Sequence, residues 1–247
     1  VKMVIIHFHP VELYPPIMNM LNTLGENCKN EIFVFTYEPS HSKKLYHHPN
    51  IQIVRFKSYQ NQSRIKRILS YLSFTVKTVS SLIKLNPKNI FYYETKSALP
   101  IYYYLRFVGF GNKNLFIHYH EYHEPNEFKT GMKLVYYSYK KEMNLIKHAK
   151  WISHTNEYRA NLFKTDLPFP KKIEVLPNFP PIQWSQNNHF KLSENTKKPI
   201  KVVYIGSIGL ANFHIASFCK WIHHQAGEAT FDIYSQNLND ETMAFFS

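Results

Sequence analysis

Short apolar runs alternate along this chain with helical patterns, and that alternation constrains the fold more than any other feature. Residues 2–8 (KMVIIHF), 31–37 (EIFVFTY), 51–56 (IQIVRF), 89–93 (NIFYY), 114–120 (NLFIHYH), 151–154 (WISH) and 172–176 (KIEVL) each read as a strand. The first is continuously apolar, the mark of a strand buried on both faces. Residues 15–24, 63–85, 98–107, 132–148 and 157–164 read as the intervening helices, and Asn86-Pro87 ends the long one. Strands alternating with helices predict an α/β fold with a parallel, doubly wound sheet.

The pattern then restarts. A proline-rich joint, Leu176-Pro177-Asn178-Phe179-Pro180-Pro181, closes a first domain over residues 1–182, and a polar linker occupies 183–199. A short strand expected to be buried, 201–205, runs into Gly206-Ser207-Ile208-Gly209, followed by a helix at 211–224 and a strand at 230–234. Three elements cannot cover both faces of a parallel sheet, and no closing element follows. Residues 200–247 are therefore expected to be an incomplete second α/β domain.

Composition narrows the class. The 30 Lys and Arg against 17 Asp and Glu give a formal charge of +13. Such a charge suits a polyanionic partner or a solvated basic face. The lysines are scattered and no reader motif is present, so nucleic acid is not an expected partner. The 37 Tyr and Phe exceed what one core holds, which puts some at the surface or in a cleft. Cys28 and Cys219 have no CxxC spacing and read as reduced thiols of a cytoplasmic protein. No signal peptide is visible and no apolar stretch reaches membrane-spanning length, so any membrane contact is expected to be peripheral.

The densest cluster of chemistry-bearing residues is His118-Tyr119-His120-Glu121-Tyr122-His123-Glu124-Pro125. It lies at the carboxyl end of a strand, where ligands of open α/β sheets gather. His118 and His120 alternate to one side, where an imidazole can handle a proton near neutral pH. Helical zinc sites need two His four apart; His120 and His123 are one short, and Pro125 argues against a helix there, so no metal is expected. The first strand–turn, His7-Phe8-His9-Pro10, has no glycine with which to cradle a pyrophosphate. His7, His9 and Glu12 would line a cleft from this loop or lie exposed. Gly206 and Ser207 precede a helix N-terminus that would meet a phosphate or form a plain turn.

Residues 63–85 (SRIKRILSYLSFTVKTVSSLIKL) combine Arg64, Lys66, Arg67, Lys77 and Lys84 with an apolar stripe at Ile65, Ile68, Leu69, Leu72, Val76, Val79 and Ile83. Such a helix lies on an anionic membrane or covers a sheet with its stripe in the core. The commoner arrangement, and the expectation here, is core; Arg64–Arg67 is the membrane candidate.

The order of these motifs resembles the GT-B glycosyltransferases, especially glycosyltransferase family 4. His118-Tyr119-His120-Glu121 is similar to that family's D-x-H-E strand end. Ala149-Lys150-Trp151-Ile152-Ser153-His154, Lys172-Ile173-Glu174-Val175-Leu176-Pro177-Asn178 and Val203-Tyr204-Ile205-Gly206 resemble its later landmarks. The resemblance implies two Rossmann-like domains across a cleft, the first binding acceptor and the second a nucleotide-sugar. It implies sugar transfer with retention, without a metal or other cofactor, onto a polysaccharide or lipid-linked acceptor at the cytoplasmic membrane face, with an anionic membrane surface as a further contact. His120 falls on the family's sugar-contacting His, with His118 and Glu121 in support. Gly206, Ser207 and His9 would approach the donor. The family's cation after the second-domain glycine has no counterpart in Leu210-Ala211-Asn212-Phe213, and its paired glutamates would fall beyond Ser247, so this stretch alone is expected to be inactive. A non-catalytic carbohydrate- or lipid-binding module and a sugar-nucleotide epimerase are the alternatives.

Overall fold

Seven strands form one parallel sheet because their apolar runs leave both faces to be covered. A computed structural model describes residues 1–27, 29–39, 45–57, 63–179, 199–206, 208, 215–225, 227–235 and 240–246. The chain divides into two compact units, Val1–Asn187 and Asn188–Ser247. In the first, β1 (Lys2–His7), β2 (Glu31–Tyr37), β3 (Ile51–Phe56), β4 (Asn89–Tyr93), β5 (Asn114–Tyr119), β6 (Trp151–His154) and β7 (Glu174–Val175) lie in the order β3-β2-β1-β4-β5-β6-β7. Every pairing is parallel. The order reverses between β1 and β4, the switch point at which such sheets bind ligands.

Strand residues alternate between two cores. Val4, Ile6, Phe33, Phe35, Ile90 and Tyr92 face one, which α2 (Arg64–Leu85), α3 (Ala98–Val108) and α5 (Lys133–His148) help build. Ile5, Ile32, Val34, Phe91 and Tyr93 face the other, under α1 (Pro15–Asn27). Part of the aromatic content is core, where Phe8 packs edge-to-face on Tyr37, Tyr71 and Phe74 at 5.0–5.3 Å, and part is exposed as expected, including Phe107, Tyr158 and Phe179.

Two local signals set the ends of α2, of which the Asn86-Pro87 stop was expected. The Ser63 hydroxyl caps α2 by accepting from the Lys66 N–H. Asn86 takes the left-handed conformation (φ 45°) as its N–H closes onto the Leu82 carbonyl, and Pro87 cannot continue the helix.

Three expectations fail instructively. The apolar stripe of α2 is not the face that packs. Tyr71, Phe74, Thr75, Thr78 and Leu82 are buried, whereas Ile65, Leu69, Val76 and Ile83 are 51–71% exposed. The aromatic rings fill the space beside Phe8 and Tyr37, and the buried Thr75 hydroxyl is satisfied by the Tyr71 carbonyl at 2.9 Å. An 18-residue window of the same helix has a mean hydropathy of 1.2, enough by length and composition to cross a membrane, where no membrane-spanning stretch was expected. Next, α4 (Pro125–Thr130) is a helix that Pro125 starts instead of preventing. At the first helical position its missing N–H costs nothing, and Glu124 and Glu127 form a capping box. His120 and His123 precede it, outside any helix. Finally, β7 is confined to Glu174–Val175. The helix expected at 157–164 is α6 (Glu157–Asp166).

In the second unit β8 (Ile200–Ile205) pairs in parallel with β9 (Ala229–Tyr234). Helix α7 (Ile215–His224) packs on them through Phe218 against Phe231 at 5.0 Å. β8 is not the buried strand expected: Ile200, Val203 and Ile205 are exposed, because a two-stranded sheet under one packed helix covers a single face. Helix α8 (Asp240–Phe246) stands where no further element was expected. Ser207, the start of the expected helix at 211–214 and Cys28 lie outside the described residues. Cys219 is a free thiol.

Candidate functional site

The loops that leave β1, β4 and β5 meet at the carboxyl edge of the sheet, around a cavity of about 410 Å³. His9 and Tyr14 come from the first loop, Glu94 and Lys96 from the second, His120 and Glu121 from the third. α2 adds Arg67 and Tyr71, while Phe128 and Met132 supply an apolar wall. Parallel strands deliver these residues together because each ends at the same edge of the sheet.

His120 is the best-fixed of them. Its imidazole lies between two rings, stacked on Tyr93 (5.1 Å, 6° between planes) and on Tyr14 (5.2 Å, 29°). Its carbonyl accepts from the Thr155 hydroxyl at 3.2 Å and from Arg159 at 2.5 Å. Burial, reinforced by the Arg159 charge, lowers its pKa to about 4 despite an opposing contribution from Asn178. The ring is neutral at physiological pH. Nε2 is buried without a hydrogen-bond partner among the described residues; a buried polar atom left so costs about 1–3 kcal/mol and calls for an explanation such as a ligand contact.

Glu94 was missed in the sequence. Its Oε1 accepts the His120 backbone N–H at 2.7 Å and the Glu121 N–H at 3.4 Å. Burial raises its carboxyl to about 7, against the opposing pull of those two hydrogen bonds. The backbone there has φ 64° and ψ 153°, a conformation that costs a non-glycine residue about 1–3 kcal/mol and clusters at functional sites. The available signal was the one that picked out His120, a charged residue immediately after an apolar strand. Lys96 follows two residues later, its Nζ 3.5 Å from His9 Nε2 and its pKa lowered by burial.

The other expected residues divide. Glu121 borders the cavity and pairs with Arg159 at 2.5 Å, tying it to the group that holds the His120 carbonyl. His118 sits behind the cavity, its Nδ1 2.7 Å from the Ser153 hydroxyl and its ring 4.9 Å from that of His120. Burial lowers His118 and His9 to about 3. Of the three first-loop residues expected at a cleft, His7, His9 and Glu12, only His9 lines the cavity. His7 is fully buried, and Glu12 is engaged by Arg55 at 2.8 Å and by the Tyr46 N–H at 2.9 Å. The Phe8 N–H donates to Ser97 Oγ at 2.9 Å, so that amide is turned into the protein. In the second unit the Gly206 N–H closes onto the Tyr234 carbonyl at 3.0 Å. Among the described residues no group of three or more His, Cys, Asp or Glu is placed to hold a metal ion.

This arrangement is a doubly wound α/β architecture with a polar cavity at its switch point, and comparison with solved structures identifies the fold as GT-B. The chain is similar to the lipopolysaccharide outer core galactosyltransferase WaaB in its apo form, at 15% identity and TM-score 0.62, over 99% of this chain and 64% of that one. It is similar to sucrose-phosphate synthase from Thermosynechococcus elongatus at 11% identity and TM-score 0.56, over 100% of this chain and 73% of that one. UDP-GlcNAc 2-epimerase from Neisseria meningitidis, bound to UDP-GlcNAc, matches at 10% identity and TM-score 0.56, over 98% and 67%. No protein-family model and no curated protein matches the chain.

Proposed function

We propose that this chain is the acceptor-side part of a glycosyltransferase that moves a sugar from a nucleotide-sugar to a polysaccharide or lipid-linked acceptor. The observation that carries the reading is the cavity at the β1–β4 switch point, where a neutral His120 and the carboxyl of Glu94 share one polar edge under aromatic walls. Aromatic faces suit sugar rings, and the polar edge suits hydroxyls.

In this reading the acceptor oxygen bonds to the anomeric carbon of the donor. The bond from that carbon to the diphosphate oxygen breaks, the electron pair leaving with the nucleoside diphosphate, and the acceptor proton is released. His120 contacts the donor sugar or the incoming hydroxyl. Glu121 and His118 support it, the first through Arg159 and the second by packing behind the ring. Gly206 and Ser207 approach the departing phosphate, which helix N-termini and cations stabilise. Retention of configuration and independence of metal belong to the proposal through the motif resemblance alone.

A second reading, a sugar-nucleotide epimerase, draws support from the likeness to the Neisseria enzyme. The test is a thermal-shift screen of nucleotide-sugars, since a ligand of the native state raises apparent stability by mass action. The donor that binds is then incubated with and without sugar acceptors in the complete protein. Product formed only with an acceptor supports transfer, and its anomeric proton coupling reads the stereochemistry. Conversion of the donor alone supports epimerisation, binding without turnover leaves a carbohydrate-binding module, and no binding sinks the proposal. His120→Ala should abolish transfer; unchanged turnover removes His120 from the mechanism.

A further inference from the structure

Among the described residues helix α2 is partnered on one side only, and the side left open is neither random nor neutral. Ile65, Leu69, Leu72, Val76 and Ile83 recur at three-, four- and seven-residue spacings and are 41–71% exposed. The open face continues onto α3, where Phe107 is 74% and Val108 45% exposed. Between α2, α3 and α5 runs a shallow groove of about 260 Å³ whose lining includes Leu72, Val76, Leu99, Tyr103 and Phe107. An exposed apolar surface of this continuity marks an interaction site.

Its charge says what the partner is. α2 carries Arg64, Lys66, Arg67, Lys77 and Lys84, α3 carries Arg106, and neither helix has an acidic residue. Lys66, Lys77 and Lys84 follow one another at spacings of eleven and seven, so they form a row along α2 beside the aliphatic one. Lys141 caps the far side, its Nζ 5.3 Å from the Tyr102 ring and 5.1 Å from that of Tyr137. The Tyr103 and Tyr137 hydroxyls meet at 3.1 Å nearby. Aliphatics flanked by lysines and tyrosines are the composition of a helix lying in a lipid headgroup layer. A twofold pairing of two copies would instead set one all-basic face against itself. Crossing the bilayer is opposed as well: α2 is held on the sheet by Tyr71, Phe74, Thr78 and Leu82.

We propose that the α2–α3 face is a docking surface for an anionic lipid bilayer. The aliphatic row enters the headgroup boundary and the lysine row meets lipid phosphates. The proposal is independent of the transferase reading, since it concerns a surface and not the cavity chemistry. The same helix nevertheless borders the cavity through Arg67 and Tyr71.

The test is flotation of the full chain with phosphatidylcholine vesicles, with and without phosphatidylglycerol. Binding is expected to the anionic vesicles and to fall with salt. The triple variant Lys66→Gln, Lys77→Gln, Lys84→Gln should lose about a hundredfold in partition, at about fivefold per lysine. Leu69→Ser with Val76→Ser should lose binding while keeping the circular-dichroism spectrum, because both side chains are exposed. Absence of flotation with anionic vesicles overturns the proposal. So does equal binding to neutral vesicles, or wild-type binding by the lysine variant. Concentration-dependent self-association abolished by Leu69→Ser with Val76→Ser, without vesicle binding, would assign the face to a second copy instead.

Discussion

Replacing Glu142 with glutamine should make the protein more stable at alkaline pH, and the structure sets the size of the effect. Glu142 on α5 is 1% exposed, and its Oε1 accepts the Tyr92 hydroxyl at 3.0 Å and the Tyr119 hydroxyl at 2.7 Å. No cation pairs with it among the described residues. Burial raises its carboxyl from 4.5 to about 7, although hydrogen bonds from Thr95, Tyr119 and Tyr92 pull the other way. The native state therefore prefers the protonated form. That preference stabilises the fold fully below pH 4.5, the unfolded value, and is lost as the pH rises through about 7. At about 1.4 kcal/mol per pH unit for one proton, the whole loss is about 3 kcal/mol, of which about 2 falls between about pH 5.5 and 8.5. The glutamine carbonyl still accepts the two tyrosine hydroxyls but carries no charge at any pH. Urea denaturation of both proteins at about pH 5.5, 7 and 8.5 should show the variant gaining about 2 kcal/mol on wild type across that range. Titrating groups that do not interact with Glu142 cancel in the comparison; Glu94, whose charge also raises Glu142, does not. A difference that stays constant with pH would mean that Glu142 titrates as an ordinary carboxylate, and the burial argument would fail.

Acidification should destabilise the fold below about pH 6.5. Burial lowers His7, His9, His118, His120 and His154; their neutral forms support folding above 6.5, and this support is lost as the pH falls. Glu94 and Glu142 act oppositely, so the net slope is about three protons, or about 4 kcal/mol per pH unit, near pH 5 and falls to about one proton near 6.5; a flat denaturation profile across that range would refute the burial of the cluster. Ser97→Ala removes the hydroxyl that accepts the Phe8 N–H and should cost about 0.5–1.5 kcal/mol in chemical denaturation. Gly25→Ala should destabilise despite the helix preference for alanine, because its Cβ would fall 2.3 Å from the His48 ring. Adding His48→Ala should then restore stability, and a double-mutant cycle with no coupling would contradict the clash.

Much of the architecture is legible in local pattern. Four strands of the sheet, β2, β3, β4 and β6, have the bounds expected of them, and for β2 and β4 the reason is that a strand buried on both faces is apolar throughout. The end of α2 is legible for the same kind of reason: Asn86 tolerates the left-handed conformation and Pro87 cannot donate. His120 was found because a strand end in a parallel sheet is a privileged position whatever the rest of the chain does. Glu94 obeys that rule too, yet its importance comes from contacts with His120 and Glu121, about 26 residues away, and from a backbone angle that no spacing reveals. Glu12 looked like a cleft residue until Arg55, on β3, neutralised it. The α2 helix shows the division most clearly. Its sequence contains an aliphatic row, which periodicity identifies, and a second row led by the aromatics Tyr71 and Phe74, which periodicity did not single out. Only the shape of the sheet surface beside Phe8 and Tyr37 selects the aromatic row and leaves the aliphatic one exposed. Periodicity reports the faces a helix has; which face is covered depends on partners brought from distant parts of the chain.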